Sequence, residues 1–274
     1  MKNVKTSSLI RGNILGIFVL MFIFPLIWLI LTSLKTDAAA FATPPKFIFT
    51  PYWGNYARLF ARDSFSTYFI NSILCAGGAT FLSLALGSLA AFGFTRFKFR
   101  GSFVVLMSIL LLRMFPPITT IMPIFLIFRK FGLCDTRLAL ILVYTSLNLS
   151  LVIWLLYDFF NDIPRELDEA AYLDGCSLWK VFRMVILPLA APGLIAAGIL
   201  TFVFSWSEFL FALVLTSLKA VTTPVLVSTF VSDQVIRWGD MSSVGFLTTL
   251  PILILGIVVK KYLVQGLTMG SIKG

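Results

Sequence analysis

Long apolar runs alternate with short polar segments along the whole chain. Crossing the hydrocarbon core of a bilayer takes about 20 residues of helix, and six runs have close to that length or more. They cover Ile14–Leu31, Phe65–Phe94, Ser102–Phe128, Ala139–Phe159, Gly193–Ser217 and Met241–Val259. The pattern predicts an all-α, polytopic membrane protein with six transmembrane helices, in which residues 1–274 form a single transmembrane domain.

One polar segment is far more densely charged than the others. It runs from about residue 161 to 192, between the fourth and fifth apolar runs, and it holds acidic and basic side chains within a few turns of chain. A charge in the hydrocarbon costs several kcal/mol, so this segment is predicted to be a loop at the membrane surface.

Capping and stop signals in this loop predict two short helices. Asn161 or Asp162 is a suitable N-cap for the first helix, and Gly175 is a natural stop in the left-handed conformation. Ser177 is predicted to cap the second helix, which Pro188 would end.

The same loop carries a motif with fixed spacing. It consists of Glu169-Ala170-Ala171, Gly175, Val185 and Leu187-Pro188. The motif resembles the EAA loop of ATP-binding-cassette (ABC) importer permeases, in which Ile is usual at the position of Val185. Asp168 and Asp174 resemble the carbohydrate-importing, maltose-type branch. The resemblance implies a type I importer fold, in which this loop is the cytoplasmic coupling helix that docks in a groove of an ATPase subunit. The residues it implies for ATPase coupling are Glu169, Ala170, Ala171, Asp174, Gly175, Leu187 and Pro188.

Other stretches extend this resemblance over nearly the whole chain. They are TSLKTDAAAF at 32–41, FINSI at 69–73 and the tail at about 262–274. The resemblance implies a cytoplasmic C-terminal tail near the ATPase pair, with Gln265, Gly266, Leu267 and Gly270 as its matching positions.

Two charged residues lie far from the loops. Arg113 interrupts the third apolar run and Glu208 lies within the fifth, and an intramembrane charge is a functional candidate by default. Trp206-Ser207-Glu208-Phe209 resembles the Trp-Asn-Glu-Phe of the family, with Ser207 in place of Asn. Arg113, Trp206, Ser207 and Glu208 are therefore candidates for the substrate pathway. Structural pairing of the two charges, with each other or with a partner permease, is the alternative.

Composition changes the interpretation in only a few respects. The chain is 59% hydrophobic and 12% charged, contains no His and has a formal net charge of +10. Its basic residues are scattered among short loops, which favours interfacial anchoring over nucleic-acid binding. The basic N-terminus and the loop Arg96–Arg100 indicate an inner-membrane protein with both termini in the cytoplasm. The three cysteines lie in separate segments and show no metal-binding spacing, so no metal site is predicted.

The sequence contains neither a phosphate-binding loop of the Walker type nor a His-based catalytic triad, so we expect a transport subunit and not an enzyme. The resemblance implies that ATP and Mg bind to partner ATPase subunits and that this chain binds no cofactor. The implied partners are a second permease, two ATPase subunits, an extracytoplasmic sugar-binding protein and membrane lipid.

The predicted function is alternating-access import of a carbohydrate, with a polyol or glycerol phosphate as alternative cargo. Two other classes remain open. One is an ion-coupled secondary transporter with Arg113 and Glu208 as a relay. The other is an integral membrane enzyme or assembly subunit.

Overall fold

A computed structural model describes residues 2–61, 64–97, 99–231 and 236–269. This part of the chain is dominated by helices, and its only β-structure is an isolated bridge between Val231 and Ile236. In chain order the helices are α1 Lys2–Ser33, α2 Asp37–Ala40, α3 Gly54–Ala61, α4 Phe65–Arg96, α5 Ser102–Leu112, α6 Pro117–Lys130, α7 Arg137–Asn161, α8 Glu166–Leu173, α9 Leu178–Val181, a π-helical turn Phe182–Ile186, α10 Leu187–Leu189, α11 Ala191–Trp206, α12 Leu210–Leu215, α13 Thr223–Thr229 and α14 Trp238–Met269.

Four helices of the described chain are long and apolar enough to cross a membrane, and two bent pairs raise the number to as many as six. The unbroken candidates are Gly12–Ser33, Phe65–Arg96, Arg137–Asn161 and Trp238–Ile257. The bent pairs are α5 with α6, and Leu178–Leu189 with α11. The all-α prediction is confirmed.

The third predicted span is broken in the middle. The axes of α5 and α6 are bent by 92°, and Pro116 and Pro117 stand at the start of α6. Proline has no N–H to donate and is tolerated in the first helical turn, so the pair ends one helix and begins another. The predicted third span over Ser102–Phe128 therefore consists of two helices, with its interruption just after Arg113.

The fifth predicted span is also interrupted. Helix α11 ends at Trp206, and α12 begins at Leu210. The carboxylate of Glu208 accepts hydrogen bonds from the backbone N–H groups of Phe211 and Ala212, which start the new helix. The predicted fifth span over Gly193–Ser217 therefore consists of two helices, because this local cap competes with helix propagation.

The chain forms two compact units, Met1–Thr67 with Leu226–Pro251, and Tyr68–Val225 with Ile252–Gly274. In the first unit a polar cluster joins α1, α3 and α14. The Asn55 amide donates to the backbone oxygens of Ser33 and Lys35, both at 2.8 Å. Arg58 forms an ion pair of 2.9 Å with Asp240.

The second unit is held together by close packing of α4, α7 and α11. A Cβ at Gly87 of α4 would lie 2.6 Å from Cγ1 of Val152, and a Cβ at Gly193 would overlap the ring of Phe159. Small residues allow helices to approach closely in lipid, where apolar burial adds little. This packing positions the loop that connects α7 to α11.

Candidate coupling loop and intramembrane cavity

The charged loop folds into two short helices at one end of the second unit, as the sequence predicts. Helix α8 ends at Leu173, and Gly175 adopts a left-handed conformation with φ of +80°. A residue with a Cβ is strained in that conformation, which explains the need for glycine at the turn. The chain then continues through α9, the π-helical turn and α10 to Leu189.

The predicted caps of these helices were partly wrong. Asn161 is the last residue of α7 and Asp162 its C-cap, because α7 continues further than the loop signals indicated. Arg165 occupies the N-cap position of α8 without a side-chain hydrogen bond. Ser177 does occupy the N-cap position of α9, but its hydroxyl accepts no capping hydrogen bond.

The loop has a buried face and an exposed face. Val181, Phe182 and Ile186 are buried in an apolar core with α4 and α7. The predicted coupling residues divide between the two faces. Exposed are Glu169, Ala170, Asp174, Gly175 and Pro188, whereas Ala171 and Leu187 pack partly buried against the core.

The exposed face also carries large apolar side chains. Leu173 is 90% exposed, and Trp179 is exposed while one side of its ring contacts Phe182 at a centroid distance of 5.4 Å. Apolar side chains beside an acidic residue such as Glu169 are typical of a protein-binding surface.

An ion pair beneath this surface was missed by sequence reasoning. Arg96, the last residue of α4, pairs with Asp168 of α8. The Arg96 guanidinium also donates to the backbone oxygens of Phe160, at 3.1 Å, and Ile163, at 3.3 Å. From the sequence, Arg96 was assigned to a basic loop. Its position at the end of a predicted helix was the one signal that it could interact with a helix terminus.

The two intramembrane charges face one cavity of about 450 Å³. It is lined by Ile109, Leu112, Arg113, Phe115, Pro117, Tyr144, Ser146, Leu147, Asn148, Leu149, Ser150, Ile153, Phe204 and Glu208. Because Arg113 lies where α5 gives way to α6 and Glu208 lies between α11 and α12, both charges are at helix breaks.

Arg113 and Glu208 have separate partners and form no ion pair with each other. The Arg113 guanidinium lies 5.5 Å from the centroid of the Phe204 ring, a cation–π distance. The Glu208 carboxylate caps α12 through the backbone N–H groups of Phe211, at 3.0 Å, and Ala212, at 3.2 Å. The cavity thus combines a cation with a carboxylate whose charge the helix start stabilises.

The other two pathway candidates do not line this cavity. Trp206 is 2% exposed and packs between Phe202 and Phe69, both at centroid distances of 5.6 Å. Ser207 is exposed at the break after α11. Trp206 is therefore a packing residue in this conformation.

The C-terminal candidates are only partly within the described residues. Gln265, Gly266 and Leu267 lie in α14, which extends beyond the apolar window Trp238–Ile257 to Met269. Gly270 lies outside the described residues.

A second polar cluster lies at the loop between α6 and α7. The Asp135 carboxylate accepts hydrogen bonds from four successive backbone N–H groups, those of residues 217–220, at 3.0 to 3.2 Å. Burial alone would raise the pKa of Asp135, but these donors lower it to about 2. Nearby, Asn71 accepts from Arg137 at 2.7 Å and donates to the backbone oxygens of Lys219 and Val221. The cluster fixes the segment that follows α12.

Apolar helices that flank a charged cavity, together with an amphipathic loop between two of them, are the features expected of a membrane transport permease. The chain belongs to the family of binding-protein-dependent transport system inner membrane components, whose model matches residues 83–268. It is an inner-membrane permease component of an ABC importer.

Relatives match this chain over most of its length. The chain is 35% identical over 274 residues to the trehalose/maltose transport system permease protein MalG of Thermococcus litoralis, which covers 98% of both chains. It is 38% identical over 254 residues to the trehalose transport system permease protein SugB of Mycobacterium tuberculosis, which covers 91% of this chain and 92% of that protein.

Solved structures share the fold. A chain of a bacterial ABC transporter that imports the acidic polysaccharide alginate matches with a TM-score of 0.78 and 22% identity over 96% of this chain and 98% of that chain. A chain of an alginate transporter in complex with an alginate pentasaccharide-bound periplasmic protein matches with a TM-score of 0.67 and 15% identity over 94% of both chains. The predicted importer-permease fold is confirmed.

Proposed function

We propose that the whole chain acts as one permease domain in a complex that imports a carbohydrate, with a second permease, two ATPase subunits and an extracytoplasmic binding protein. The exposed EAA-like loop is the observation that supports the complex most directly, because Glu169 and the Gly175 turn are accessible to a partner protein. The names of the relatives, which include trehalose, maltose and diacetylchitobiose systems, support a carbohydrate as the cargo.

In this mechanism the loop of α8 to α10 receives the motion of the ATPase dimer. Closure of the dimer on ATP displaces the loop and turns the cavity outward, and hydrolysis returns it inward. ATP and Mg bind to the ATPase subunits, and this chain contributes the docking surface. Among the described residues no group of three or more His, Cys, Asp or Glu side chains is arranged to hold a metal ion.

The cavity that contains Arg113 and Glu208 lies on the proposed substrate path. Its polar groups, which include Tyr144, Asn148 and Ser150, offer donors and acceptors to sugar hydroxyls within apolar walls. Glu208 also holds the start of α12, so its replacement should alter the shape of the cavity as well as its charge.

The proposed orientation places α8 and both termini in the cytoplasm. The basic residues near α1 and at the end of α4 support it, since such residues favour the cytoplasmic side. The C-terminal residues Gln265, Gly266, Leu267 and Gly270 would then lie toward the ATPase pair.

Substitutions on the exposed face of the loop test this function. We expect Glu169→Lys and Gly175→Asp to leave the amount of permease in the membrane near normal, because neither residue is in the core or the hydrocarbon. Glu169→Lys reverses a surface charge at the proposed dock, and Gly175→Asp strains the turn by about 1 kcal/mol. Transport should be lost in both.

The measurements are permease abundance, ATPase co-purification and ATP hydrolysis stimulated by the loaded binding protein, all on the same membranes. Asp162→Lys is the matched control, since Asp162 is exposed at the end of α7 and lies outside the motif. Full transport by both loop variants would refute coupling through this loop. Degraded permease would indicate that these residues serve folding instead.

A further inference from the structure

The pairing of Arg96 with Asp168 joins α8 to the end of a membrane-spanning helix. Both side chains are almost inaccessible to water, with relative exposures of 8% and 7%. Asp168 lies in the first turn of α8, where an acidic group complements the helix dipole, and Arg96 is the last residue of α4, where a cation does so. The ion pair therefore joins the C-terminus of α4 to the N-terminus of α8, and each charge has the sign that its helix terminus favours.

The Arg96 guanidinium does more than balance Asp168. It donates to the backbone oxygens of Phe160, near the C-terminus of α7, and of Ile163, in the turn before α8. Nη1 and Nη2 donate these two hydrogen bonds while Nε lies against the Asp168 carboxylate, so contacts at all three nitrogens restrict the orientation of the planar guanidinium. Arg96 therefore fixes the end of α4, the end of α7 and the start of α8 as a single joint.

A second contact crosses the same joint in the opposite direction. Arg165, at the start of α8, donates to the backbone oxygen of Thr95 in the last turn of α4 at 2.7 Å. Arg165 at the start of α8 therefore binds α4, and Arg96 of α4 binds α8. By contrast, the far end of α8 is more open, since Leu173 and Asp174 are exposed.

We propose that Arg96 and Asp168 are positioning residues that make α8 and the end of α4 move as one body. A displacement of α8 by the ATPase is then passed directly to a membrane-spanning helix, in addition to α11, to which the loop leads along the chain. The proposal rests on the coupling function proposed above.

The test uses the assembled importer with its second permease, ATPase subunits and binding protein. The variants are Arg96→Gln, Asp168→Asn and the double substitution. We expect each single variant to retain basal ATP hydrolysis but to lose about tenfold in stimulation by the loaded binding protein and in uptake per ATP. The double variant should be no worse than the poorer single, because both remove the same joint.

Matched controls separate the joint from charge in general. Glu166→Gln removes an exposed acid from the same first turn of α8 and should behave as the wild type. If the single variants yield too little complex, Arg96→Met with Asp168→Leu replaces the buried pair by apolar side chains, a change that proteins often tolerate. That variant should assemble and still show reduced stimulation.

Spin labels provide a readout that a merely structural role would not change. Labels are attached to Leu86→Cys on α4 and Glu166→Cys on α8, both exposed positions, after replacement of the native cysteines. With the joint intact, the distance between the labels should be the same in the nucleotide-free and ATP-bound complexes. With Asp168→Asn it should shift or broaden on ATP binding.

Two results would overturn the proposal: wild-type stimulation in all joint variants, or a label distance that changes with ATP while the joint is intact. A wild-type complex that shows no stimulation at all would instead contradict the coupling function itself. The two failures are therefore distinguishable.

Discussion

At the scale of single residues, three charged side chains of this apolar chain act at helix ends and turns. Glu208 starts α12, Arg96 binds the end of α7 and Asp135 binds the segment after α12. Each satisfies backbone groups that a helix end or turn leaves without partners, and such groups are costly to bury unpaired. Glu208 therefore contributes both to the break between α11 and α12 and to the charge of the cavity.

Asp135 allows this role to be measured. Asp135→Asn replaces a carboxylate that four backbone N–H groups bind, so we expect a loss of about 1 kcal/mol in unfolding free energy at neutral pH, since water reaches part of the site. Thermal unfolding of the purified permease in detergent measures the loss. Asp162→Asn, an exposed acid at the end of α7, should show no comparable change.

The pH dependence of this stabilisation has a defined sign. The pKa of Asp135 is about 2 in the folded chain and 3.8 ordinarily, so on acidification the unfolded chain binds the proton first. The advantage of the wild type over Asp135→Asn should be complete above about pH 5 and shrink as the pH falls toward 2. A difference that stays constant or grows on acidification would show that the carboxylate charge is not responsible.

At the scale of helices, the sequence predicts the bounds of the unbroken spans well, but it does not show how sharply the interrupted third span bends or that the fifth span is divided. The predicted Phe65–Phe94 and Ala139–Phe159 agree closely with α4 and α7. The apolar runs of these two helices contain no strong helix-stop signal. The length of each helix can therefore be predicted from the length of its apolar run. The break at Glu208 depends on one side chain, which an average over a long apolar window conceals.

Labelling tests on which side of the membrane these helices emerge. Ile48 lies between α2 and α3 and is 96% exposed, whereas the neighbouring Asn55 is buried and would be a poor probe. In the proposed orientation, Ile48→Cys should react with an impermeant thiol reagent in intact cells that lack the native cysteines. Leu173→Cys on α8 should react only after permeabilisation.

Expression without ATPase subunits keeps Leu173 uncovered in that experiment, so protection can be attributed to the membrane. Both variants should label in permeabilised cells, which controls for accessibility of the thiols. Labelling of Leu173→Cys but not Ile48→Cys in intact cells would reverse the orientation.

At the scale of the whole molecule, the sequence indicates the class of transporter more readily than its internal linkages. The motif around Glu169 and Gly175 is local, and its exposed helix and left-handed turn follow from neighbouring residues. The ion pair between Arg96 and Asp168 joins residues far apart in the chain. It depends on how α4, α7 and α8 pack together, which the sequence pattern does not show. The cavity is similarly non-local, since its two charges come from different spans.

The most direct test of the central claim is uptake by proteoliposomes that contain this chain, its second permease and its ATPase subunits. The probes are radiolabelled trehalose and maltose, the sugars that appear in the names of two relatives. The cognate binding protein is added outside the proteoliposomes, and ATP is enclosed inside them. We expect uptake of at least one sugar to require ATP and the binding protein, to persist when ion gradients are collapsed, and to be lost with Glu169→Lys. Uptake that survives inactivation of the ATPase but disappears with the ion gradient would contradict the claim.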